Sequence, residues 1–334
     1  MNIQTVFQQM LIIFMLILTG AVLYRRKLVS DDTSRQISGL VAHLCNPAHL
    51  IYSALSSQSK VSPRELLNGL LLILLAYGIL LLCSFLLPYL LRVPKKEHFA
   101  YRLLTVYGNV GFIGIPLASA VLGPSSLIYV SLNNLVYNML IYTHGISTIH
   151  AVTGQCPSGA SCRKESRDQN GQKNSGSLSR LFLSAKKFTS LINIGTVSAL
   201  LTLILYLGNF QLPLLLSETL HYMGRSTTFL SMLVLGTAVG QMPLRRIFSN
   251  LRLYPFTALR LILLPVLCIR LLRLLSGDML LISTTALLLA VPAGNMPLIL
   301  SRQRNADTET LSQGILLTTL LSLLTIPITA LLLG

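Results

Sequence analysis

The sequence predicts an all-α membrane protein. It reads as ten transmembrane helices in two inverted five-helix repeats, with helices 4 and 9 broken. Three observations carry this. Only 11% of the 334 residues are charged and 52% are hydrophobic, with a mean hydropathy of +0.67, whereas soluble domains carry about 25% charged residues. The apolar residues fall into runs of about the 20 residues a spanning helix needs. Two of these runs hold helix breakers in their middle: Gly108-Asn109-Val110-Gly111-Phe112-Ile113-Gly114-Ile115-Pro116, and Ala290-Val291-Pro292-Ala293-Gly294-Asn295-Met296-Pro297.

The runs follow in order. Residues 3–24, 37–57 and 66–91 give the first three. The uncharged stretch from Leu103 to Cys162 is too long for one helix, and Gly123-Pro124 divides it into spans at about 101–122 and 125–149. Residues 151–187 are rich in Ser, Gly, Gln, Lys and Arg and read as a flexible linker. It separates a first repeat (1–150) from a second (188–334). The second repeat has spans near 189–208, 226–243, 253–275, 279–301 and 311–333, and residues 213–224 read as a short surface helix. The first run lacks a basic leader and a small-residue cleavage site, so it reads as a retained helix.

Spacing gives the symmetry. Asn109 and Asn295 are 186 residues apart, and the same offset carries the first span onto the sixth and the fifth onto the tenth. Five helices per half is an odd number, so the halves must be oppositely oriented. The connections after odd-numbered spans hold 20 Lys and Arg, against 5 after even-numbered ones. The positive-inside rule then makes the linker cytoplasmic and places both termini outside. Reduced thiols at Cys156 and Cys162 agree with that side; their C-x5-C spacing matches no usual zinc pattern.

Broken backbone in lipid is tolerated only where protein buries it or where it lines a cavity. Two breaks in corresponding halves point to a transporter's binding site. Pro116 and Pro297 suit the first helical position, where a missing N–H costs nothing. The half-helices behind them would then present free N–H groups to an anion near mid-membrane. On the fifth span Asn134 and Asn138 are four residues apart and share a face. Tyr129, Asn133 and Tyr137 line an adjacent one. These amides either join helices, for about 1 kcal/mol each, or bind a substrate. Arg260 lies two turns into the eighth span. Snorkelling to the cytoplasmic surface is favoured over facing a water-filled cavity. His43 has no acidic partner, which favours a buried structural histidine over a proton relay.

Absences narrow the function. No Asp or Glu lies inside an assigned span, which argues against a cation exchanger built on membrane carboxylates. No H-E-x-x-H, G-x-S-x-G or P-loop pattern appears, so neither an enzyme nor an ATPase has visible machinery. No catalytic residue, metal ligand or cofactor site is expected. The net charge of +16 lies between apolar runs, where it sets topology and does not bind nucleic acid.

The residues Gly108 to Leu117 resemble the fourth-helix signature of the auxin efflux carrier family of permeases. Leu40-Val41 with Asn46-Pro47, Arg260-Leu261 with Pro265, and Val291-Pro292-Ala293-Gly294-Asn295 are also similar to that family. The resemblance covers nearly the whole chain apart from the linker. It implies a scaffold of helices 1, 2, 6 and 7, often dimeric, and a transport domain of helices 3–5 and 8–10. It also implies an organic anion as cargo and a crossing of the broken fourth and ninth helices, with Asn109, Pro116 and Asn295 carried over. The leading expectation is a secondary active or facilitative transporter of a mono- or dicarboxylate in the cell membrane, working by alternating access. Asn109, Asn134, Asn138, Asn295, Gly111, Pro116, Pro297 and Arg260 are its candidate substrate-binding residues. Protons or sodium are the candidate coupling ions, and the protein is expected as a homodimer. A sodium-coupled symporter of similar fold and a ligand-binding membrane sensor are the alternatives.

Overall fold

A computed structural model of the chain describes residues 3–56, 61–153, 194–208, 210, 212–241 and 243–333. Among them the regular elements are helical, and no strand is present. The linker's residues 154–187, with Cys156 and Cys162, lie outside the described residues.

Local chemistry sets where the helices begin. Helix α1 (Ile3–Arg25) is followed by α2 (Asp31–Leu40), which Ser30 caps by accepting the Thr33 N–H at 3.2 Å. A π turn at Val41–Cys45 carries α2 directly into α3 (Asn46–Ser56). Helix α4 (Pro63–Leu90) opens on a capping box. The Ser62 hydroxyl accepts the Glu65 N–H at 3.3 Å, and the Glu65 carboxylate accepts the Ser62 N–H at 2.7 Å. After α5 (His98–Val106) comes the first break. The chain then passes through a π turn, Val110–Gly114, into α6 (Ile115–Leu122). Gly123, at φ +83°, makes the turn into α7 (Leu127–Leu140). Helix α7 runs on through a third π turn, Ile141–Gly145, into α8 (Ile146–Thr153).

Beyond the linker lie α9 (Ile194–Leu207) and α10 (Leu214–Gln241). Helix α11 (Leu253–Ala258) passes through a π turn, Leu259–Leu263, into α12 (Leu264–Leu275). Helix α13 (Met279–Ala290) is capped by Asp278, whose Oδ1 accepts the N–H groups of Leu280 and Leu281 at 3.0 Å. The second break separates α13 from α14 (Met296–Arg302), and α15 (Glu309–Leu333) ends the chain.

One expectation fails here. Residues 213–224 are not a separate surface helix, because α10 is continuous from Leu214 to Gln241. No proline interrupts it, and Glu218 and His221 find partners without ending it. Glu218 pairs with His221 at 3.5 Å, and the His221 ring stacks on Tyr52 with centroids 4.5 Å apart. At a rise of 1.5 Å per residue, 28 residues make a rod about 42 Å long, longer than the roughly 30 Å hydrocarbon core.

Helix α1 packs along α10 at a glycine contact. A Cβ at Gly236 would lie 2.1 Å from the Ile17 carbonyl oxygen, and one at Gly20 would lie 2.5 Å from that of Leu233. Small residues allow such backbone approach in membranes, where packing replaces the hydrophobic drive between helices. Helices α2–α3 and α10 run antiparallel in a register pinned at two points. Ser34 and Thr237 share a hydroxyl–hydroxyl hydrogen bond at 2.6 Å, and His49 Nδ1 meets the Gly224 carbonyl at 3.0 Å. Helix α9 packs against α3 and α7, α4 against α5, α12 against α13, and α15 against α1. Helices α1, α4 and α15 are each long and apolar enough to cross a membrane. Their outward leucines, such as Leu82 at 68% and Leu86 at 66% exposure, face where lipid would lie.

Candidate functional site: the crossing of the two breaks

The two breaks meet. Tyr107, after the end of α5, takes an extended conformation (φ −100°, ψ 95°), as does Val291 after α13 (φ −63°, ψ 149°). Gly108 and Ala293 stand opposite each other in an antiparallel bridge. The Asn109 N–H donates to the Pro292 carbonyl at 2.7 Å, and the Gly294 N–H donates to the Tyr107 carbonyl at 2.9 Å. Backbone groups freed from the helices therefore satisfy one another inside the protein, as burial requires. Glycine is needed for the approach. A Cβ at Gly294 would lie 2.8 Å from the Gly108 carbonyl oxygen, and one at Gly108 would lie 3.0 Å from a Val291 methyl.

Beyond the bridge the two breaks differ. Asn109 caps its own helix, its Oδ1 accepting the Phe112 N–H at 3.2 Å. The helix begins at Val110, so Pro116 is not at its first position, as the sequence suggested. The π turn widens the backbone just ahead of Pro116, where the missing N–H and the ring need room. Asn295 precedes α14 directly, its side chain is half-buried and caps nothing, and Pro297 is the second helical residue. There its missing N–H is one the first turn could not have paired anyway.

The second break is supported from outside. The Ala293 N–H donates to the Thr318 hydroxyl of α15 at 3.2 Å. Arg260 does not snorkel. It is 1% exposed, and its Nη1 donates to the Leu289 carbonyl at 2.5 Å. That carbonyl belongs to the last turn of α13, whose end carries partial negative charge and lacks helical donors. Arg260 also flanks the first break, since a Cβ at Gly108 would lie 3.4 Å from its Nη2. The π turn at Leu259–Leu263 holds this residue, and the carbonyl that binds it lies on another helix. Nothing in the local sequence pairs the two.

Two side-chain amides at the first break carry unpaired atoms. Asn109 is 3% exposed, and its Nδ2 is buried without a hydrogen-bond partner. Asn46, at the start of α3, has a buried Oδ1 without a partner. A Cβ on Gly111 would meet only Asn46, 3.1 Å from its Nδ2. Asn46 is absent from the sequence-derived candidates, although its Asn-Pro pair in mid-span was a usable signal.

Helix α7 separates into two faces. Tyr129 donates to Asp278, Asn133 accepts the Tyr77 hydroxyl at 3.1 Å, and Tyr137 packs edge-on against Tyr107 at 5.6 Å. All three join helices. Asn138 Nδ2 bonds within α7, to the Asn134 carbonyl at 2.8 Å and the Asn134 Oδ1 at 3.1 Å. No hydrogen bond among the described residues ties either amide to Asn109 or Asn295, although α7 packs against the Val110–Gly114 turn. His43, expected to be buried, is exposed. A cleft of about 620 Å³ lies elsewhere, lined by Lys96, Glu97, Phe99, Arg252 and Asp307 among others. Phe99 lies in the first turn of α5, at the opposite end of that helix from the break.

Broken helices crossing inside an apolar bundle define a membrane transport protein, and comparison with known families agrees. The profile of the family described as membrane transport protein matches residues 5–330. The chain belongs to this family, which includes the auxin efflux carrier permeases. No curated protein matches it.

Proposed function

We propose that this permease carries a small organic anion, a mono- or dicarboxylate, across the cell membrane by alternating access, and that the anion is held where the two breaks cross. The observation that carries the reading is the meeting of the breaks. It brings Asn109 and Asn295 to one place and leaves the N–H groups of Val110 and Gly111 without an intrahelical acceptor. Such donors hold an anion without a fixed positive charge. Asn134 and Asn138, on a helix packed against the same turn, complete the polar lining in this reading.

The packing supports two inverted five-helix repeats, 1–150 and 188–334. Helix α1 on α10 is matched by α9 on α3, α1 on α15 by α9 on α7, and α4 on α5 by α12 on α13. The Lys and Arg bias favours a cytoplasmic linker and outside termini. The family resemblance extends the reading to a homodimeric scaffold around a moving domain, with protons or sodium as coupling ion.

The test is a thermal-shift screen of the purified protein against carboxylic acids, followed by counterflow in proteoliposomes with any acid that binds. A native-state ligand raises stability. Asn109→Ala and Asn295→Ala should each weaken binding about ten- to a hundredfold, the worth of one hydrogen bond to a charged group. Unchanged affinity in both would place the site elsewhere, and binding without counterflow would make the protein a sensor. An impermeant maleimide applied to intact cells should leave Cys156 and Cys162 unlabelled; labelling would reverse the topology.

A further inference from the structure

One buried hydroxyl links the first break to a histidine outside the crossing. Tyr107 opens the break, and its carbonyl accepts the Gly294 N–H at 2.9 Å. Its side chain is fully buried and ends against the π turn at Ile141–Gly145, where a Cβ at Gly145 would lie 3.3 Å from the hydroxyl. There the hydroxyl has two partners, the Leu140 carbonyl at 2.9 Å and His144 Nδ1 at 3.0 Å. The other ring nitrogen, Nε2, faces the Thr148 hydroxyl at 3.4 Å, and that hydroxyl donates to the His144 carbonyl at 2.8 Å.

Counting hydrogens makes this a proton site. A hydroxyl carries one hydrogen. With the Thr148 hydrogen on a carbonyl, its oxygen is left as an acceptor, so Nε2 carries a hydrogen whether the ring is neutral or charged. Neutral His144 then accepts the Tyr107 hydrogen at Nδ1. A proton added at Nδ1 reverses that bond. The imidazolium donates to the Tyr107 oxygen, and the Tyr107 hydrogen turns to the Leu140 carbonyl. Neither state leaves these groups unpaired, because the Thr143 hydroxyl also donates to the Leu140 carbonyl, at 3.3 Å. The surroundings hold one fixed charge that acts on the ring, Arg102 of α5. Its guanidinium lies 4.5 Å over the Phe85 ring of α4, and His144 meets that ring edge-on with centroids 6.3 Å apart. Tyr137 of α7 stands edge-on behind Tyr107. His144 is half-buried, which leaves the proton a route that Tyr107 lacks.

We infer that His144 is a proton-binding site that tightens the first break through Tyr107, making the crossing responsive to pH on the side where α4 ends and α5 begins, the cytoplasm in the topology proposed above. With His144 protonated, Tyr107 makes two hydrogen bonds in place of one, and the residue whose carbonyl fastens the bridge is held more firmly. The inference does not depend on the anion reading.

The test needs no cargo. In the full-length purified protein with labelled histidine, the NMR signal lost in His144→Gln should titrate between about pH 5 and 8. Amide exchange across residues 290–296, corrected for its intrinsic pH dependence, should be about three- to tenfold slower at the acid end, the net worth of one hydrogen bond. His144→Gln should abolish that dependence. Tyr107→Phe should abolish it while His144 still titrates, and it supplies the readout should His144→Gln fail to fold. A structural histidine would change stability without changing the pH profile. A His144 signal that does not titrate in this range, equal exchange at both ends, or a dependence that survives both substitutions overturns the inference and leaves the anion reading standing.

Discussion

The two breaks look alike in sequence, each a Gly-Asn element followed by proline, yet they are held in different ways. The first stabilises itself: Asn109 caps the helix it begins, and a π turn makes room for Pro116. The second is held by its neighbours. Asn295 caps nothing, Thr318 of α15 takes the Ala293 N–H, and Arg260 takes the Leu289 carbonyl. The distance from asparagine to proline explains the divergence. Seven residues leave space for a widened turn before Pro116, whereas two place Pro297 in the first turn of its helix. A shared motif at a pseudo-symmetric site therefore need not have a shared geometry.

Three sets of substitutions test this contrast. The largest effect is expected at Arg260, the prop of the second break. Arg260→Met removes the charge-assisted bond to Leu289, worth about 1.5–3 kcal/mol, so counterflow should fall about ten- to a hundredfold. Lysine should not rescue it, because a point charge on a flexible stem does not reproduce the planar fork. Wild-type counterflow in Arg260→Met would reduce this residue to packing. The next effect separates the two glycines. At Gly294 an added methyl meets backbone at 2.8 Å, but at Gly108 its nearest neighbour is a valine methyl at 3.0 Å. Gly294→Ala should cost about 1–3 kcal/mol, the range for overpacking, and Gly108→Ala less, read as urea-unfolding midpoints. The reverse order would mean that the bridge yields more easily than the side chain. The smallest effect concerns the caps. Asn109→Ala should lower stability by about 0.5–2 kcal/mol, the worth of an N-cap, whereas Asn295→Ala should leave the melting temperature unchanged. Equal losses would erase the difference between the breaks.

What was legible in the sequence follows from what an apolar run records. The runs record burial in lipid, and helices α1, α4 and α15 match their runs to within about three residues. Breakers record a local backbone need, so both breaks and the Gly123 turn were visible. Contacts between distant segments leave no such trace. Arg260 looked like a snorkelling residue because nothing near it in sequence shows that the Leu289 carbonyl waits on another helix. The π turn that displaces Pro116 from its expected position has no composition of its own. The polar end of α10 suggested a separate helix because Glu218 and His221 satisfy each other and Tyr52 only after folding.

The bond pair at the crossing has a consequence for how this molecule can change over generations. It is made wholly of main-chain atoms, from Asn109 to Pro292 and from Gly294 to Tyr107. Every residue type supplies a carbonyl, and every type but proline supplies an N–H. Most side chains around the crossing can therefore be exchanged without unfastening it, whereas the lack of space for a Cβ restricts glycines such as Gly108, Gly114 and Gly294. In the proposed reading the cargo is chosen by side chains such as Asn295 whereas the fastening is main chain, so a drift in what is carried, natural or engineered, needs only single replacements at such positions.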